Sequence, residues 1–253
     1  MTLDLQKANM WKRISAFLFD FILMGVLAVG IGFLLSSALG YDGYMDTLTD
    51  AYSRYESQYG IKFEMTQDEY MNMTDEEQEN YSLACDALTA DDDAAAAYNM
   101  VVNETLLISS LSLLIAFLVW EFAIPLWLKN GQTPGKKIFG IGLMHTSGIE
   151  ITPVLLFIRT VLGKYTIETM LPLLLIMMIS FNIIGRAGTV ILGILFISQL
   201  ILIIVTPTNS PIHDLLAKTV AVDISSQRIF KNGAELVEYK KKLAAEEAER
   251  QPW

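Results

Sequence analysis

Four long stretches without a charged residue constrain the fold of this chain more than any other feature of its sequence. Each comes close to or exceeds the ~20 apolar residues that a helix needs to cross a bilayer. We therefore predict an all-α fold with four transmembrane helices, at about residues 14–38, 105–128, 166–185 and 188–206. The uncharged stretches are Phe21 to Tyr41, Thr105 to Trp120, Thr169 to Gly185 and Ala187 to Ile212.

The composition excludes two large classes of protein. Of the 253 residues, 53% are hydrophobic, yet the formal net charge is −10. Four spans leave segments too short for a conventional soluble enzyme, and an acidic chain lacks the excess of Lys and Arg with which nucleic-acid binders neutralise phosphates. One cysteine and two histidines cannot form a disulfide framework or a Cys/His zinc site. We expect no nucleic-acid partner, no cofactor and no bound metal.

The distribution of Lys and Arg predicts the orientation of the four helices. Three basic residues precede the first span, five, beginning with Lys129, lie between the second and third spans, and seven follow the fourth. Only Arg54, Lys62 and Arg186 fall on the other side. Because Lys and Arg are enriched in cytoplasmic loops, we predict a multi-pass protein of the cell membrane. Both termini would lie in the cytoplasm and residues 39–104 outside it.

This arrangement divides the chain into four segments. The N-terminus and first span occupy residues 1–38, an acidic insertion occupies 39–104, the other three spans lie within 105–224, and a charged tail helix occupies 225–253. The insertion carries 16 acidic and two basic residues. It contains two S/T-x-x-E sequences, Thr66 to Glu69 and Thr74 to Glu77. Both fit the capping box that begins a helix, so we predict short helices in the insertion.

Polar side chains on three spans are predicted to lie at one depth in the bilayer. Asp20 lies seven residues after Arg13 and on the same helical face. Glu121 in the second span and Gln199 in the fourth fall at a similar depth. Charges inside a bilayer usually face the bundle interior and have partners there. Asp20, Glu121 and Gln199 are therefore candidate ion or proton ligands.

A Glu-x-x-x-Pro sequence occurs in both the second and the third span, from Glu121 to Pro125 and from Glu168 to Pro172. A proline has no N–H to donate to the carbonyl four residues before it. Each glutamate carboxylate is thus expected beside a freed carbonyl, an arrangement of oxygens that suits a hard cation. The alternative is that the prolines only kink the helices. Glu168 joins the ion or proton candidates on this basis.

Four motifs in chain order resemble the RDD family of membrane proteins, which is named for one Arg and two Asp residues. Arg13 to Asp20 is similar to its R-x-x-A-x-x-x-D opening, and Gly131 to Ile141 resembles its G-x-T-x-G-K-[KR] element, which includes Gly135 and Lys136. The Ile151 to Arg159 segment resembles the family's approach to its next span. His213 to Val222 resembles the H-D-x-x-A-G-T-x-V-V ending, except that Lys218 stands where the family usually has Gly.

The resemblance implies that Arg13, Asp20 and Asp214 are the signature triad. It also marks His213, Gly135, Lys136 and Arg159 as signature or structural residues. A plain structural role is open for the triad: Asp20 would neutralise a basic group, while Arg13 and Asp214 would join the start of the first span to the segment after the fourth. The resemblance is compatible with either a functional or a structural role for the triad.

Two functions remain open from the sequence. Some members of the family resembled are proposed to exchange monovalent cations for protons, and others act as adaptors in larger membrane assemblies. We expect a small secondary transporter that acts as a homo-oligomer, because four spans are few for alternating access within one chain. The alternative is a non-transporting adaptor or scaffold that binds an external protein through the acidic insertion. A membrane enzyme is a third, less favoured class, since no nucleophile arrangement is evident.

Overall fold

The computed structural model describes residues 6–128, 131–180 and 183–250. It confirms the all-α class. Four helices in the described residues are long and apolar enough to cross a membrane: Met10–Leu39, Asp92–Leu128, Pro153–Ser180 and Gly185–Val205. Lys129, which contributed to the predicted orientation, lies outside the described residues, as do residues 181 and 182 near the predicted end of the third span.

The helices are longer than the predicted spans wherever polar sequence flanks an apolar run. The second begins at Asp92 and the third at Pro153, each 13 residues before its predicted start. Hydropathy detects only the part of a helix that matches the bilayer, so a helix that continues into polar sequence is underestimated. Arg159 and Lys164, predicted to precede the third span, therefore lie within its helix.

Segments of π-helix interrupt the second and third candidate spans at Val119–Ala123 and Ile158–Met170. The helices and strands are α1 (Met10–Leu39), α2 (Tyr41–Tyr59), α3 (Gln67–Met71), α4 (Asp75–Ala90), α5 (Asp92–Leu118), α6 (Ile124–Leu128), α7 (Pro134–Ile138), β1 (Ile141–His145), α8 (Pro153–Phe157), α9 (Leu171–Ser180), α10 (Gly185–Val205), α11 (Ile212–Leu216), β2 (Thr219–Asp223) and α12 (Gly233–Arg250).

The chain divides into two compact units, one made of residues up to 25 and from 116 onward, the other of residues 26–115. In the second unit, the capping boxes predicted at Thr66 and Thr74 are both present and begin α3 and α4. The ring of Phe63 contacts those of Tyr52 and Tyr81, with centroids 5.3 and 6.1 Å apart. These aromatic contacts bury apolar surface within an otherwise acidic segment.

The first unit contains a two-stranded antiparallel sheet that the sequence pattern does not predict. In its register Ile141 faces Asp223 and His145 faces Thr219. The N–H of Ala8 donates to the carbonyl of Ala221 at 3.1 Å, so the segment before α1 extends this pairing. The strands are five residues long and mostly buried. Apolar runs of that length are ambiguous in sequence, because periodicity cannot separate a short buried strand from a helix.

The tail forms a helix, α12, as predicted for this segment. Its Tyr239 ring contacts Phe230, with centroids 5.1 Å apart, and the guanidinium of Arg228 lies over both rings. Leu236, within α12, is buried. The limits of the four predicted segments and the orientation of the termini stay predictions.

Candidate functional site

A cavity of about 510 Å³ lies in the first unit, between α1, α10, α11 and the two π-helical turns. It brings together side chains that are far apart in sequence. All four ion or proton candidates line it: Asp20, Glu121, Glu168 and Gln199. Of the signature residues, Arg13, Lys136, Arg159 and His213 also line it, while Asp214 and Gly135 contact residues of its wall.

Asp20 joins α1 to the beginning of α7 through neutral donors. Its Oδ1 accepts from the indole N–H of Trp120 at 3.0 Å and from the backbone N–H of Gly135 at 2.8 Å, and its Oδ2 accepts from the hydroxyl of Thr133. A Cβ at position 135 would lie 2.5 Å from the carbonyl oxygen of Ala16 and 2.8 Å from the Asp20 carboxylate. Only glycine permits this approach, which is a physical reason for the glycine in this motif.

Glu121 lies between two lysines. Its Oε1 forms an ion pair and hydrogen bond with the ammonium of Lys164, and its Oε2 lies 3.8 Å from the Nζ of Lys136. That Oε2 is buried and has no hydrogen-bond partner among the described residues. The Lys164 Nζ also lies over the Phe17 and Phe117 rings, at 5.8 and 5.9 Å from their centroids. Glu121 is thus a buried carboxylate with one oxygen left to bind a further group.

The environment of Lys136 lowers the pKa of its ammonium group. Burial of the ammonium lowers the pKa of Lys136 to about 8, even though the nearby Glu121 carboxylate favours the charged form. Arg159 and Lys164 lower the pKa further by repulsion. Desolvation commonly shifts lysine in this direction. The side chain therefore changes charge near neutral pH, which an ordinary surface lysine does not.

A second network joins the third candidate span to α11. The Nε of Arg159 donates to Asp214 Oδ1 at 2.7 Å, and Thr219 donates to the same oxygen at 2.7 Å. Although burial alone would raise it, these contacts and the Arg159 charge hold the pKa of Asp214 well below its ordinary value. Asp214 is therefore a permanent anion whose charge is matched by Arg159.

His213 bridges Arg159 and Glu168 as a neutral imidazole. The Nη2 of Arg159 lies 2.9 Å from His213 Nε2, and arginine can only donate, so Nε2 accepts. The proton therefore sits on Nδ1, which donates to Glu168 Oε2 at 2.7 Å. Burial and the Arg159 charge lower the pKa of His213, in agreement with this tautomer. Gln199 accepts from the backbone N–H of Ile212 at 3.2 Å and so fixes the start of α11.

The signature triad separates into a pair and a single residue. Arg13 lies 3.7 Å from Asp214 and donates to the carbonyl of Asn209 at 2.9 Å, which joins α1 to the segment after α10. Arg13 and Asp214 thus have the contact that a structural role requires, and that role stays a prediction. Asp20 makes its hydrogen bonds with neutral groups instead of the basic partner expected for it.

The two Glu-x-x-x-Pro sequences lie in the π-helical turns. Glu121 is within Val119–Ala123 and Glu168 within Ile158–Met170. The N–H of Ile124 donates to the carbonyl of Val119, and that of Leu171 to the carbonyl of Thr166, each five residues back. The wider turns shift the hydrogen-bond register just before each proline, and π turns are frequent at functional sites. The kink expected from proline alone thus takes the form of a widened turn.

Four contributors to the site are not apparent as site residues from the sequence. In the sequence, Lys164 is only one of the basic residues between the second and third predicted spans. It lies 43 residues from Glu121 along the chain, so no local pattern links the two. Thr133 and Thr219 are visible within the family-like motifs, where Thr133 lies between Gly131 and Gly135 and Thr219 follows Lys218. The remaining contributor is Trp120.

Comparison with known proteins supports the motif assignment. Residues 7–218 match the sequence model of the RDD family. The chain belongs to the RDD family. Members of the RDD family are membrane proteins, which agrees with the four candidate spans. No curated protein and no solved structure matched the chain.

Proposed function

We propose that this RDD protein is a secondary transporter that exchanges a monovalent cation for a proton, with Glu121 and Lys136 as the exchanging pair. The observation that carries the proposal is the Oε2 of Glu121, which has no hydrogen-bond partner among the described residues and lies 3.8 Å from the Nζ of Lys136. The low pKa of Lys136 makes that lysine the group that releases the proton.

The charge balance around the cavity supports exchange in a one-to-one ratio. The described side chains that line or back the cavity include four cations and four carboxylates, since His213 is neutral. A cation that binds at Glu121 would leave an uncompensated positive charge in a poorly hydrated site, which is unfavourable. Loss of the Lys136 proton restores the balance. The cations are Arg13, Lys136, Arg159 and Lys164, and the carboxylates are Asp20, Glu121, Glu168 and Asp214.

The roles of the other candidates follow from their contacts. Asp20 was predicted as an ion ligand; because both of its oxygens already accept hydrogen bonds, we assign it the positioning of α7 and of Lys136 within it. Glu168 holds α11 against the third candidate span, and Gln199 holds the start of α11 against α10. In the orientation predicted from Lys and Arg, the cavity opens near the cytoplasmic surface. A homo-oligomer would supply the second half of an alternating-access carrier.

The test is proton movement in proteoliposomes after separate pulses of Na⁺, K⁺ and Li⁺. We expect wild type to move protons and Glu121→Gln to lose this activity. Lys136→Arg keeps the positive charge, but arginine does not deprotonate, so proton movement should fall at least tenfold. The matched control is Lys137→Gln, since Lys137 is adjacent and exposed. Exchange at the wild-type rate in Lys136→Arg, with folding confirmed by size-exclusion chromatography, would contradict the proposal.

The pH dependence of exchange has a definite sign. Below the pKa of Lys136, about 8, a cation must displace a proton, so the apparent cation affinity should fall about tenfold for each unit of acidification. Above that pKa the lysine has no proton to release, and the affinity should become independent of pH. Affinity measured between pH 6 and 9 checks this. A flat profile across the range would exclude Lys136 as the proton donor.

The adaptor hypothesis is a second candidate that one observation favours. The second unit has an apolar groove of about 260 Å³, lined in part by Leu48, Tyr52, Leu88 and Tyr98, on the segment predicted to lie outside the cell. Replacing residues 41–100 by a short Gly/Ser linker should abolish binding of an external protein if the insertion is an adaptor. Intact exchange in the same variant would separate the two roles, whereas absence of exchange in every variant would favour the adaptor.

A further inference from the structure

The cavity is much larger than an inorganic cation requires. Its volume of about 510 Å³ is more than ten times the ~30 Å³ that one water molecule occupies in the liquid. Sites for organic molecules have volumes of about 300–1,000 Å³ and are mostly apolar, with a few convergent polar groups. The volume therefore fits an organic ligand better than a bare ion.

One wall of the cavity is apolar along its length. Three residues on α1 and three on α10 form it, and each set is spaced by four and then three residues, which places it on one face of its helix. Charged side chains from α1, α7 and the π-helical turns also line the cavity. The cavity is thus amphipathic, because apolar and ionic side chains both line it. The wall residues are Met10, Ile14 and Phe17 on α1 and Phe196, Leu200 and Ile203 on α10.

The apolar wall is accessible from the side of the helices. Phe17 is 53% exposed and Phe196 67% exposed, although both line the cavity. Since α1 and α10 are both candidate membrane spans, side chains exposed between them would contact acyl chains. A molecule dissolved in the bilayer interior can therefore reach the cavity laterally.

The charged side chains that line the cavity indicate the sign of the ligand's charge. Among the described residues that line the cavity, Glu121 Oε2 is a buried acceptor and Arg159 Nη1 a buried donor without a hydrogen-bond partner. The Oε2 of Glu121 offers a carboxylate oxygen to a cationic group. The Phe17 ring, which already has the Lys164 ammonium over one face, offers an aromatic surface of the kind that binds ammonium groups.

We propose that the exchanged cation is an organic ammonium ion with an apolar body, whose charged group lies at Glu121 and whose body lies against Phe17 and Phe196. This inference rests on the proposed exchange and specifies its substrate class. No covalent step is involved: the ligand binds, one proton leaves Lys136, and the net charge of the cavity is unchanged.

Permanently charged probes test the substrate class without crossing the bilayer as neutral bases. Benzyltrimethylammonium and tetramethylammonium carry the same charged group, but only the first has a large apolar body. We expect benzyltrimethylammonium to bind the purified protein at least tenfold more tightly than tetramethylammonium, as measured by calorimetry. Complete burial of a phenyl ring stabilises a complex by more than the free energy that a tenfold change in affinity represents. Benzenesulfonate supplies an anion with a ring of the same size, and we expect it not to compete.

A matched pair of phenylalanine variants tests the placement of the apolar body. Phe196→Ala should weaken benzyltrimethylammonium binding about tenfold and change tetramethylammonium binding less than twofold. Phe33→Ala is the control, because Phe33 is exposed on α1 and lies outside the cavity lining. Equal losses in both variants would overturn the placement.

The same probes, added to proteoliposomes beside Na⁺, K⁺ and Li⁺, separate failure of this inference from failure of the exchange. Proton movement driven by the inorganic ions alone would overturn the organic substrate and leave the exchange standing. Binding of benzyltrimethylammonium without proton movement would support the ligand class and overturn the exchange. Competition by benzenesulfonate equal to that of tetramethylammonium would overturn the cationic assignment.

Discussion

Lys218 adopts a backbone conformation that its side chain disfavours. Its φ is +51°, in the left-handed region, where it follows the C-terminal end of α11. A non-glycine residue in this conformation costs about 1–2 kcal/mol, and glycine would avoid that cost at an entropic loss of about 0.4–1 kcal/mol in the unfolded chain. The glycine that the RDD pattern has here is thus explained by the geometry.

We predict that Lys218→Gly stabilises the protein by about 0.5–1 kcal/mol, which corresponds to a rise in Tm of about 1–4 °C for a chain of this size. Thermal unfolding in detergent measures the change. Lys218→Ala is the control: it removes the exposed side chain but keeps the Cβ that causes the strain, so it should bring no gain. Equal Tm values for the glycine and alanine variants would show that strain at this position is negligible.

The close approach of α11 to the third candidate span depends on a glycine in the π-helical turn. A Cβ at Gly163 would lie 2.6 Å from the Cβ of His213 and 2.7 Å from its Cα. Because one of these neighbours is backbone, a small side-chain movement cannot relieve the clash. The contact also holds His213 against Arg159, so packing of the two elements and the ionic network are coupled.

We predict that Gly163→Ala destabilises the protein by about 1–3 kcal/mol, the usual cost of overpacking. The matched control is Gly193→Ala in α10, where a Cβ meets nothing within 4 Å. That variant should be neutral or stabilising, because alanine is favoured over glycine in a helix by up to about 1 kcal/mol. Tm values of the two variants in the same detergent provide the comparison, and similar values for both would contradict the packing argument.

At the scale of the whole molecule, the arrangement of basic residues makes a testable prediction about topology. Ser82 on α4 and Ser226 after β2 are both exposed. In a Cys85→Ser background, which removes the single native cysteine, Ser82→Cys should react with a membrane-impermeant maleimide in intact cells. Ser226→Cys should react only after permeabilisation. The reverse pattern would invert the predicted orientation and place the cavity near the outer surface.

Features that depend on local or additive physics are predictable from the order of the residues alone. The four candidate spans follow from apolar length, because a bilayer crossing requires about 20 apolar residues whatever the rest of the fold does. The capping boxes at Thr66 and Thr74 follow from residues three apart. The motifs around Asp20, Gly135 and Asp214 indicate the RDD family because residue type and spacing along the chain are enough to recognise them.

The pairing of the charged groups became visible only in the folded protein. Asp20 accepts from neutral donors, whereas Glu121 lies between Lys136 and Lys164, and helix rotation inferred from polarity alone could not distinguish these outcomes. The pairing of β1 with β2 joins segments more than 70 residues apart, so no local pattern specifies it. Partner choice inside a protein depends on which side chains share a cavity, and that is a property of the packed helices as a group.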